Sequence, residues 1–170
     1  TVLVNGAAAL TNVDYTDGSG FVPVTERTRV QVEAIIPSGN AIVIDATLDL
    51  DFGTDYTVIA VGDVAAPIAP LVIANPTGEP ITSGSFRAQV VHAAPDAPAV
   101  DVFVTAPGAD LAASTPINAA PLAYQQSTDR IQAPAGDYQV RVTLGGNPAT
   151  VVFDSGEIAL PAAVDLLVAA

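Results

Sequence analysis

Gln139-Val140-Arg141-Val142-Thr143-Leu144 alternates polar and apolar residues at every step. Successive side chains of a β-strand point to opposite faces, so this period of two describes a strand with one face buried and one in water. Arg29-Val30-Gln31-Val32-Glu33-Ala34 does the same, about 110 residues earlier in the chain. Thr47-Leu48-Asp49-Leu50-Asp51-Phe52 alternates with its acids outward. Between these lie continuous apolar runs: Ala41–Ile44, Tyr56–Val61, Leu71–Ile73, Val100–Val104, Val151–Phe153 and Leu166–Val168. They are short and rich in β-branched residues, so they read as strands buried on both faces.

Turn chemistry punctuates the strands at Asn5-Gly6, Asp17-Gly18-Ser19-Gly20, Pro37-Ser38-Gly39-Asn40, Gly62-Asp63, Pro76-Thr77-Gly78, Gly145-Gly146-Asn147-Pro148 and Ser155-Gly156. No segment sustains a helical period. Ala109 to Ala120 comes nearest, but Pro107, Pro116 and Pro121 confine it to a turn or two. Many short strands at this spacing predict an all-β chain of antiparallel β-sandwiches.

The chain also repeats itself. Val2-Leu3-Val4 corresponds to Val102-Phe103-Val104, Arg29–Val32 to Gln139–Val142, and Ile44–Leu50 to Phe153–Leu160. The offset, about 100 to 110 residues, is the size of one small domain. Two tandem domains are expected, 1–80 and 86–170, joined by the linker-like Asn75–Ser85. The first copy is expected to lack its opening strand and the second its closing part, as if cut from a longer array.

Composition narrows the function classes. Acids outnumber bases 18 to 5 among 170 residues, the net charge is −13, and every base is Arg. Such a surface offers no basic cluster for nucleic acid or an anionic bilayer. Cys is absent, which removes disulfides and thiolate metal sites, and so is Lys, which removes a Lys–Asn isopeptide crosslink. No apolar run reaches the roughly 18 residues that cross a membrane, so no membrane insertion is expected. Met is absent and the first residue is Thr, which suggests a processed or trimmed chain.

Phe86-Arg87-Ala88-Gln89-Val90-Val91-His92-Ala93-Ala94-Pro95-Asp96-Ala97-Pro98-Ala99-Val100-Asp101-Val102-Phe103-Val104 resembles the opening of the domain-of-unknown-function family numbered 4397. That opening is an Arg-bearing strand, a His-Ala-Ser-Pro-Asp-Ala-Pro turn, then Val-Asp-Val. Ala133-Pro134-Ala135-Gly136-Asp137-Tyr138 is similar to the family's later Pro-Ala-Gly-x-Tyr turn, with Val22–Arg27 a weaker counterpart. Asp55–Gly62 is similar to its Tyr-Thr-Val strand, with Val164–Ala170 as counterpart. The resemblance implies tandem immunoglobulin-like antiparallel β-sandwiches of secreted or surface-attached prokaryotic proteins. It implies no activity, and it makes His92, Pro95, Asp96, Pro98 and Asp101 family-motif residues of structural character.

Few constellations could carry chemistry. His92 is the one histidine. A metal reading pairs it with Asp96 or Asp101, well short of the three or four ligands of a zinc site. The plainer reading is a strand-ending ring bonded to a backbone carbonyl or to Asp96 across the turn. Asn12–Gly20 offers Asp14 and Asp17 on a Gly-bearing turn, the best calcium candidate, against the plainer reading of an acidic hairpin. Asp49, Asp51 and Asp55 form a second acidic group. Paired carboxylates for glycoside hydrolysis exist by number alone, but Trp is absent and Tyr scarce, which weighs against sugar platforms.

The expected function is therefore a non-enzymatic extracellular or cell-surface module of a stalk, fibre or matrix. Partners are neighbouring repeats or further copies, reached by strand exchange at Val2, Leu3, Val4, Val90 and Val91. The alternative is an adhesion module binding calcium, glycan or protein. No cofactor is expected, calcium being the one the sequence admits.

Overall fold

The computed structural model describes residues 1–14, 17–36, 39–62 and 67–170. Pro37, Ser38 and Asp63 of the expected turns, and Tyr15 and Thr16 of the acidic loop, lie outside the described residues. The chain is all-β with open sheets, and divides into two compact units, Thr1–Glu79 and Pro80–Ala170.

The first unit holds β1 (Val2–Val4), β2 (Ala7–Leu10), β3 (Arg27–Ile36), β4 (Gly39–Asp49), β5 (Thr54–Val61) and β6 (Ala69–Pro76). One sheet runs β2-β1-β3-β4, all antiparallel; β5 and β6 form a second, antiparallel pair. Asn5 and Gly6, at φ 50° and 81°, make the β1–β2 turn. Positive φ at both central residues suits the right-handed twist of a hairpin, which is why Asn-Gly is read as one. Val30 and Ile44 from the first sheet and Val61 and Ile73 from the second are buried.

The second unit holds β7 (Ser85–Val91), β8 (Val100–Thr105), β9 (Ile131–Pro134), β10 (Gly136–Leu144), β11 (Asn147–Leu160) and β12 (Asp165–Ala169). Its sheets run β11-β10-β8 and β12-β7-β9. Val90 of one sheet meets Val100, Val102 and Val142 of the other, with Leu122, in a single core. Two sheets closing face to face over alternate side chains make a sandwich. Phe86, fully buried, packs edge-on against Tyr138 at 5.2 Å between ring centroids. The Ala-rich stretch yields one short 3₁₀ turn, Leu111–Ala113, where the Ala112 N–H donates to the Asp110 carboxylate.

The repeat is visible in the pairing register. Val2 faces Val32, Leu3 faces Gln31 and Val4 faces Val30; in the same order Val102 faces Val142, Phe103 faces Arg141 and Val104 faces Val140. The strands β1, β3, β4 and β5 thus correspond to β8, β10, β11 and β12. Leu50 N–H donates to Glu26 O as Leu160 pairs with Gly136, an offset of 110 that holds from β3 onward, against 100 between β1 and β8. Gly53 and Ala163 hold the same place in this frame, and both have positive φ, 76° and 61°. A residue with a side chain is strained in that region, so Ala163 is held there by its neighbours, its N–H donating to Ser85 O.

Two expectations change. The runs in β4 and β11 are not buried on both faces: Ile42, Val151, Val152 and Phe153 are each about half exposed. Both strands are sheet edges. The antiparallel rule also has one exception, because β12 pairs with β7 in parallel.

Candidate functional site

The residues expected to exchange strands are occupied within their own unit. Val2, Leu3 and Val4 lie in β1, which has β2 on one side and β3 on the other. Val90 and Val91 lie in β7 between β12 and β9, and both are buried. Their backbone donors and acceptors are spent on internal ladders. The open strand edges lie elsewhere.

In the first unit β5 is one of the strands with an open edge. Among the described residues β5 pairs with β6 alone. β6 carries Pro70 and Pro76, which cannot donate to a ladder, as a terminal strand tolerates. β5 carries neither Pro nor Lys, the usual guards of an exposed edge. Beside the start of β5 runs a groove of about 770 Å³ lined by Val22, Val24, Thr25, Phe52, Thr54 and Asp55, among others. Phe52 is fully exposed, Phe21 largely so and Val22 and Val24 about half, and residues 21–24 belong to no strand. Asp55 accepts from Thr77 Oγ1 at 3.1 Å and is itself exposed.

In the second unit the corresponding place is filled. β7 lies between β12, in parallel, and β9, antiparallel. Arg87 N–H donates to Val164 O at 2.9 Å, and Ala135 N–H to Gly84 O at 2.8 Å. The Arg87 guanidinium pairs with the Asp165 carboxylate opposite it. The Arg87 side chain is buried and that of Asp165 half exposed, and the hydrogen bond from Arg87 holds the Asp165 carboxyl below its ordinary range.

The family-motif residues build a scaffold around this strand. His92 is 2 % exposed. Its Nε2 lies 3.1 Å from Pro98 O, Ala94 N–H donates to its Nδ1 at 3.4 Å, and its ring meets Tyr124 edge-on. The carbonyl partner is therefore Pro98, while Asp96 is exposed on the turn and Pro95 and Pro98 shape it. Asp101 is buried in β8, where one carboxylate oxygen accepts from Asn118 Nδ2 at 2.9 Å and the other from Gly146 N–H at 2.7 Å. Asn118 also accepts from Val102 N–H and donates to Ala120 O, both at 2.8 Å. All of these contacts fix loops to strands, and none presents a reactive atom to solvent.

The acidic turn folds on itself: Asp14 N–H donates to Asp17 Oδ2 at 2.9 Å. Among the described residues no three acidic or histidine side chains gather where they could hold a metal ion. Asp49, Asp51 and Asp55 are all exposed.

Sequence reading missed Asn118, the Arg87–Asp165 pair and the groove beside β5. A strict 110-residue frame carries the signal for two of them. It sets apolar Phe21–Val24 against Ile131–Pro134 and Asp55 against Asp165. Among the described residues no helix is long and apolar enough to cross a membrane.

Comparison with known proteins gives one family. The family described as a domain of unknown function, DUF4397, matches residues 1–103. That span takes in the whole first unit together with β7, the His92 turn and most of β8. No curated protein and no solved structure matches the chain.

Proposed function

Because the chain belongs to the DUF4397 family, a domain of unknown function, its role has to be read from its own geometry, and we propose a non-enzymatic structural module of the cell exterior. In this reading the two units are segments of a stalk, fibre or matrix, held to neighbouring copies by strand pairing. The observation that carries it is a pair of strand edges left open among the described residues. β5 has β6 beside it and an open edge where the second unit seats β7. β12 has β7 beside it and an open edge where the first unit seats β6. An open edge of this kind can accept a further strand.

Three further features support the reading. The open edges of β5 and β12 carry neither Lys nor Pro, so pairing is not discouraged. The buried polar groups around His92 and Asn118 are spent on backbone and on one another, which favours a scaffold over a catalyst. The surface charge of −13 keeps such a chain soluble outside the cell and turns nucleic acid away.

Sedimentation velocity of the purified chain over a wide concentration range, with electron microscopy of the concentrated sample, tests this. The expected result is concentration-dependent association into end-to-end particles. A chain that stays monomeric at every concentration overturns the strand-pairing module.

A further inference from the structure

Asn5, in the β1–β2 turn, is chemically unlike every other asparagine of the chain, because Gly6 follows it. The others precede Val13, Ala41, Pro76, Ala119 and Pro148. A main-chain nitrogen attacks the side-chain amide of the residue before it only if it bears a hydrogen and is not shielded. A proline nitrogen has no hydrogen, and the β-carbons of Val and Ala crowd the approach. Gly6 has neither hindrance. Beyond its chain neighbours no atom lies within 4 Å of where its Cβ would stand, and both residues of the turn are exposed. The same turn holds the attack back. Positive φ at both residues, 50° and 81°, makes it type I′ and puts Asn5 in the left-handed region. There the Asn5 Cβ and the Gly6 nitrogen lie on nearly opposite sides of the Cα–C bond, whereas closing a five-membered ring needs them eclipsed. β3 fixes this conformation. Asn5 N–H donates to Arg29 O, and Asn5 Oδ1 accepts from Arg29 N–H, both at 2.8 Å. Residues opposed in an antiparallel pair ordinarily exchange both bonds through their main chains. Here the side-chain carbonyl takes the main-chain carbonyl's place, one rung past Val4 and Val30.

We infer that Asn5 is a deamidation site of this chain, held in check by the β1–β3 ladder. The co-reactant is water. With the turn open, the Gly6 nitrogen gives its proton to hydroxide and bonds to Asn5 Cγ. The Cγ–Nδ2 bond breaks, and ammonia leaves with a proton taken from water. Water then opens the five-membered imide at either carbonyl, leaving an aspartyl or an isoaspartyl link at residue 5. Either product adds one negative charge to a chain of net charge −13. The aspartyl form still offers the Arg29 N–H an oxygen. The isoaspartyl form runs the main chain through Cγ and lengthens the turn by one methylene, which misfits a two-residue hairpin.

The test follows the whole folded chain at mildly alkaline pH by peptide mapping with isoaspartate detection. Beside it runs a synthetic peptide, Val-Leu-Val-Asn-Gly-Ala-Ala, the sequence of residues 2–8. Asn5 should convert to a mixture of the two links while the other asparagines stay intact. It should do so about tenfold or more slowly than the peptide, because the ladder must open first. In a chain unfolded with guanidinium it should convert at the peptide's rate. Leu3→Gly, which weakens β1 and leaves the turn as it is, should bring the folded chain closer to the peptide. The parent chain in rising guanidinium gives the same reading if that variant does not fold. Isolated isoaspartyl chain should exchange its Arg29 amide hydrogen faster than the parent. Asn5 intact in the folded chain after about a hundred peptide half-lives, or another asparagine converting first, overturns the site. Conversion of the folded chain at the peptide's rate overturns the ladder as its check.

Discussion

Asp154 stands directly across the β10–β11 pair from Arg141, yet Gln139 is the residue that holds its carboxylate. The Arg141 guanidinium turns instead to Thr105 Oγ1 and Ala109 O. In the first unit Asp45 stands across from Gln31 and is held by Arg29, through two bonds of 2.7 and 2.5 Å. The two copies keep the acid and exchange the Arg and Gln on either side of it. Residues two apart on a strand share a face, so either neighbour can reach the carboxylate.

This exchange predicts different salt responses. Both acids are exposed, so Asp45→Asn and Asp154→Asn should each move the melting temperature by only about 3 °C or less, as exposed pairs do. The Asp45→Asn difference should shrink toward zero in about 1 M NaCl, because an ion pair is screened. The Asp154→Asn difference should persist, since Gln139 is neutral. Thermal melts at low and high salt check both.

Asn118 ties β8 to the loop after the 3₁₀ turn through both of its side-chain atoms, and it is 7 % exposed. Removing it strands Val102 N–H and one oxygen of Asp101. Asn118→Ala should cost about 2–4 kcal/mol in urea unfolding of the second unit. Asn118→Asp should be at least as damaging, since it places a second carboxylate against Asp101.

His92 is fixed as one tautomer. Ala94 N–H can only donate, so Nδ1 accepts and Nε2 carries the hydrogen that it gives to Pro98 O. Nitrogen-15 NMR of the imidazole should report the Nε2–H form. His92→Ala should destabilise the second unit by about 2–3 kcal/mol through the lost bond and the cavity.

Asp165 should give the second unit an acid limb. Its carboxyl is lowered in the folded chain, first by the hydrogen bond from Arg87. A lowered folded-state value contributes stability above the ordinary carboxylate range and loses it as pH falls through the depressed value. With the carboxylate half in water, the contribution is discounted to about 1 kcal/mol. Asp165→Asn should therefore lower stability at pH 7 by about that amount, and the gap from the parent chain should close at low pH. Melts between neutral and strongly acidic pH check this. A gap that widens with acid contradicts the assignment.

The sequence by itself determined the strands, their faces and the repeat. Alternation in Arg29–Ala34 and Gln139–Leu144 encodes which side chains point inward, and Asn5-Gly6 encodes a hairpin, because these are local properties of φ, ψ and hydropathy. Val2–Val4 and Val102–Val104 were legible as equivalents for the same reason. Only the tertiary structure decided which edges stay open. Every non-proline residue presents the same backbone N–H and C=O, so nothing in Val-Leu-Val distinguishes a central strand from an edge. Topology alone put β1 between β2 and β3, paired β12 with β7 in parallel, and left β5 beside an open groove.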